Sequence, residues 1–117
     1  MYFHTRKGII QAGFDPGFVE AIADSISSSD SLHRAKELFR QFNIEAEKLP
    51  WPQDTDFGAL VLQSKSAQAS NIEVKRFMLN EAILRARWCA TCATSGGEGH
   101  ARMAHVNELK AELDKCN

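Results

Sequence analysis

The chain has 117 residues, of which 44% are hydrophobic and 25% charged, and its formal net charge is −1. That length supports one domain, residues 1–117, with a real core, and the mixture is globular rather than disordered. The charge argues against a protein built mainly to hold nucleic acid, and no apolar run approaches the ~20 residues of a membrane span.

Three cysteines, an odd number, argue against a disulfide framework and for a reducing cytoplasm. No apolar h-region follows the basic N-terminal residues His4, Arg6 and Lys7, so no signal peptide is expected.

Residues 1–14 have the weakest pattern. Two interpretations compete. One is a short helix capped by Thr5 and ended by Gly13, with Ile9, Ile10 and Phe14 inward. The other is a short strand over Met1–His4, for which the sequence offers no evident partner. Asp15-Pro16-Gly17 then starts a helix, with Asp15 as N-cap and Pro16 in the first helical position. Phe18, Ala21, Ile22 and Ile26 recur at helical spacing up to the turn Ser27-Ser28-Ser29. Asp30 or Ser31 caps a second helix running to Lys48, with Leu32, Ala35, Leu38, Phe39 and Phe42 as its stripe. A short polar turn between the two makes an antiparallel hairpin.

Leu49-Pro50-Trp51-Pro52 ends that helix, because a residue before proline is pushed out of the helical region. Trp51 is expected to pin the extended segment to the core. Asp54-Thr55-Asp56 opens a third helix from Phe57 to about Lys65, with Phe57, Leu60 and Val61 apolar. The small polar residues 64–70 read as a loop or a frayed helix end, the most mobile stretch expected of the chain.

The central element is a helix over 71–94, capped by Ser70 or Asn71, with Glu73 near the positive end of its dipole. At ~100° per residue, Glu73, Arg76, Asn80, Arg87 and Thr91 form a narrow polar strip. Val74, Phe77, Met78, Leu79, Ala82, Ile83, Leu84, Ala86, Trp88 and Ala90 cover most of the rest. A helix apolar on most sides must be covered from several directions. Glu81 and Arg85 have the favourable i, i+4 order. Ser95-Gly96-Gly97-Glu98-Gly99 reads as the turn of a helical hairpin, with glycine in the left-handed region closing the central helix. The last helix, from His100 to about Cys116, gathers Met103, Val106, Leu109, Leu113 and Cys116 into a seam that suits the central helix or a second chain, so a homodimer stays open. Arg102, Asn107, Glu108, Lys110, Glu112 and Asp114 are expected to face out.

Cys89-Ala-Thr-Cys92 with His100 is the candidate metal set, since closely spaced thiolates bind zinc in small modules. The gap from Cys92 to His100 is shorter than in the common finger. His100 and His105 diverge by ~140° on a helix, and cysteines inside a helix more often serve as small core residues. A redox dithiol belongs at a helix N-terminus, where the dipole lowers the thiol pKa, and this pair stands at the other end. The Ser-Gly-Gly-Glu-Gly loop lacks the lysine and preceding strand of a phosphate cradle, and Glu98 would repel phosphate. No nucleophile and base fall together, so no enzymatic activity and no cofactor are expected.

Charge is uneven. Asp15, Glu20, Asp24 and Asp30 give residues 15–30 a local −4, while Lys75, Arg76, Arg85 and Arg87 against Glu73 and Glu81 give residues 71–94 a local +2. The acidic helix is therefore a candidate neighbour of the basic one, or a docking face, against the plainer reading of both as solvated helix faces. Candidate partner-binding residues are Glu20, Asp24, Arg76, Arg87 and Glu98.

The run Arg85-Ala-Arg-Trp-Cys-Ala-Thr-Cys-Ala-Thr-Ser-Gly-Gly-Glu-Gly, followed by Ala101-Arg102, resembles the short helical hairpins of accessory proteins from temperate bacteriophages. The likeness covers about the last third of the chain and carries no binding residues over. It implies a stoichiometric binder that blocks a host defence or regulatory protein. The sequence thus predicts an all-α compact bundle of about five helices around the 71–94 helix, with a hairpin turning at 95–99. Its expected function is non-enzymatic protein binding. The alternatives are a small nucleic-acid-binding regulator and a zinc-stabilised helical module.

Overall fold

A computed structural model describes residues 2–4, 9–11, 14–48, 57–93 and 96–116. The all-α bundle of five helices is as expected: α1 (Pro16–Ser27), α2 (Leu32–Ala46), α3 (Phe57–Ser66), α4 (Ile72–Thr91) and α5 (Gly96–Asp114). A small antiparallel pair, β1 (Tyr2–His4) and β2 (Ile9–Gln11), precedes them, with Phe3 opposite Ile10. This corrects the N-terminal expectation: the first strand has a partner, and Ile9 and Ile10 lie in a strand rather than a helix. Thr5 and Gly13, the proposed ends of that helix, fall outside the described residues, as do 49–56 with Trp51 and the Asp54–Asp56 start. Phe14 does turn inward, meeting the Phe57 ring edge-on at 5.6 Å between centroids.

The capping signals act as read. Asp15 Oδ1 accepts from the Phe18 N–H at 3.2 Å, and Ser31 Oγ accepts from the Arg34 N–H at 3.2 Å. Asn71 Oδ1 accepts from the Glu73 N–H at 2.9 Å and from the Val74 N–H at 3.4 Å. Its amide also donates to the Asp30 carbonyl at 3.0 Å, tying the start of α4 to the turn before α2.

The helices form two layers, and the Cα framework measures 37 × 32 × 17 Å. α4 packs mainly against α5 and α3, and α1 mainly against α2 and then α3, with smaller α1–α4 and α2–α4 contacts. One layer is therefore α2–α4–α5 and the other α1–α3. The core lies between them, with Val19, Ile26, Phe42, Leu62, Val74, Met78, Leu79, Val106 and Leu109 fully buried.

Several expectations about faces change. In α1 the buried side chains are Val19, Ile22, Ala23, Ile26 and Ser27, while Phe18 and Ala21 are exposed. α2 stops at Ala46, with Glu47 as C-cap. α3 ends at Ser66, about where expected, and Ser66 is buried, its hydroxyl donating to the Gln63 carbonyl at 2.8 Å. α4 buries Val74, Met78, Leu79, Ala82, Ile83, Ala86 and Cys89, about half its circumference, and leaves Leu84 and Trp88 outside.

The glycine-rich stretch is also different. Gly96, Gly97 and Gly99 are not a left-handed reversal but the first turn of α5; α4 closes earlier, at Cys92, whose φ of −91° is an ordinary value.

Candidate interaction surface

The polar residues singled out by sequence do not form one site. Glu20 is exposed on α1. Asp24 pairs with Lys65 of α3 at 3.0 Å, so the acidic helix finds its cation on α3 rather than on the basic helix α4. Arg76 donates to the Cys116 carbonyl at 2.7 Å, and its Nε is buried with no hydrogen-bond partner. Glu98 pairs with Arg102, which also donates to the Cys89 carbonyl. Among these five candidates Arg87 is exposed and, among the described residues, makes no ion pair.

The two arginines Arg76 and Arg102 have one role at opposite ends of the α4–α5 hairpin. Each is a cation on one helix donating to a carbonyl in the last turns of the other, where the helix dipole favours positive charge. Arg102 was expected to face out, but its side chain is only 11% exposed. Glu112 is also turned in part toward the bundle. It accepts from Gln63 Nε2 at 3.1 Å, and Gln63 Oε1 meets His105 Nε2 at 2.8 Å, which joins α3 to α5. Gln63 was not among the sequence candidates, and its helical period alone gives no signal for this role.

The proposed zinc set is not assembled. Cys89 is buried, Cys92 is the half-buried C-cap of α4, and His100 is exposed on α5. Among the described residues no three His, Cys, Asp or Glu side chains converge in a way that would hold a metal ion. His105 faces α3 through Gln63, in line with the angular separation from His100 read from the sequence.

The feature that sequence patterning missed is an apolar outer face. Arg85 marks where α4 meets α2: its guanidinium lies over the Phe39 ring at 4.9 Å and bonds Asn43, while Phe39 meets the Phe77 ring at 5.2 Å. Glu81 holds Arg85 from below at 3.2 Å. Rotating ~100° per residue from that contact places Leu84 and Trp88 on the surface facing away from α1 and α3. They are 57% and 49% exposed.

The neighbouring helices add two more side chains. α2 and α4 run parallel, since Asp30 meets Asn71 and Asn43 meets Arg85. Ile44, 62% exposed, is therefore level with the Leu84–Trp88 ridge. α5 runs antiparallel to α4, since Arg102 meets Cys89 and Arg76 meets Cys116. Met103, 43% exposed, is thus level with Trp88 on the same side. Ile44, Leu84, Trp88 and Met103 accordingly share one face of the α2–α4–α5 layer. The same angles put exposed cations (Lys36, Arg40, Arg87 and Lys110) and exposed carboxylates (Glu37, Glu47, Glu73 and Asp114) around it.

Scattered exposed apolar residues need no explanation, but several large ones on one face mark an interaction site. Among the described residues, no helix is long and apolar enough to cross a membrane. No family model, curated protein or solved structure matches this chain.

Proposed function

We propose that this chain is a non-enzymatic protein-binding module that acts by stoichiometric occupation of a partner surface, in the manner of a phage accessory protein that inhibits a host defence or regulatory protein. The observation that supports this is the outer face of the α2–α4–α5 layer, where Ile44, Leu84, Trp88 and Met103 are exposed together. Trp and Arg dominate the energetics of protein interfaces because they bury large areas and bond at their edges. Both types meet here in Trp88 and Arg87. Cys89 is buried, His105 meets Gln63, and Gly96, Gly97 and Gly99 lie in the first turn of α5.

The test is affinity capture from host lysate with the natural chain and with the double substitution Leu84→Ser/Trp88→Ser. One protein retained by the natural chain and lost by the variant is the expected result. If every retained protein is shared by both baits, the proposed face does not bind a partner.

A second function has one observation in its favour: Arg40, Arg87 and Lys110 lie on a single face, as a nucleic-acid-binding regulator would require. Salt-sensitive retention on duplex DNA, lost on charge reversal at those three positions, would favour it over protein binding.

A further inference from the structure

We draw no further inference here: the strongest candidate, the partly apolar outer face of α2 and α4 with Ile44, Leu84 and Trp88 exposed, is surrounded by exposed cations and exposed carboxylates alike, and nothing in the structure shows what covers it.

Discussion

At the scale of single residues, Arg76 and Arg102 look alike but differ in what they leave unmet. Arg102 is held by the Cys89 carbonyl and by Glu98, with little exposure. Hydrogen bonds to a charged group contribute ~1.5–3 kcal/mol. Arg102→Ala is therefore expected to lower the unfolding free energy by about that amount, read from the urea midpoint at constant slope. Arg76 makes its bond to the Cys116 carbonyl but keeps a buried Nε without a partner. Replacing it with methionine removes both the bond and the unmet donor while keeping an apolar stem over the hairpin. Arg76→Met should thus cost less than Arg102→Ala, under ~1 kcal/mol. A larger loss from Arg76→Met than from Arg102→Ala would show that the two ends are not clamped as described. Sequence gave no access to this distinction. Both are arginines on polar-looking helix positions, and only the partner helix decides which group each one reaches.

Among the helices, starts were legible and faces were less so. Asp15, Ser31 and Asn71 announce their helices through local chemistry, a side-chain oxygen meeting an N–H two or three residues on, and this needs no tertiary context. Asn71 does more, because its amide also holds the Asp30 carbonyl. Asn71→Ala should cost ~1–2 kcal/mol as a lost cap. Asn71→Asp keeps the acceptor and loses the donor, so it should recover much of that loss in thermal or urea unfolding. The glycine-rich stretch was misread because glycine marks turns by allowing positive φ, yet it also fits the first turn of a helix when nothing excludes it. A Cβ built at Gly97 meets no atom within 4 Å. Gly97→Ala is therefore expected to stabilise the fold by ~0.5–1 kcal/mol, since the unfolded chain loses freedom and the helix does not. A left-handed turn at this position would instead make alanine destabilising, so the sign of the change decides between the two structures. Trp88 and Leu84 show the other limit. Apolar periodicity marks which residues avoid water in an isolated helix, but not which of them the rest of the chain covers.

For the whole molecule, the question is whether the exposed face of the α2–α4–α5 layer belongs to the stability of the fold or to something outside it. Two layers bury the core between them, so a side chain on the outer face adds less to folding than one between the layers. Phe42 is fully buried between the layers and stacks on Phe39 at 5.6 Å. Phe42→Ala should cost ~3–5 kcal/mol, enough to unfold a domain of ordinary stability. Leu84→Ser and Trp88→Ser remove comparable apolar volume from α4 but leave no cavity. Both side chains are about half covered, so each should cost on the order of 1–2 kcal/mol, clearly less than Phe42→Ala. Removing exposed apolar surface should also raise solubility in both variants. Urea unfolding of the three variants separates the cases. If Trp88→Ser destabilises as Phe42→Ala does, Trp88 is part of the core and the face is not available for binding. If the fold tolerates the change while partner capture is lost, the large apolar side chains on this surface have their energetic role in the complex. The molecule is then a two-layer support that presents one partly apolar face to its partner.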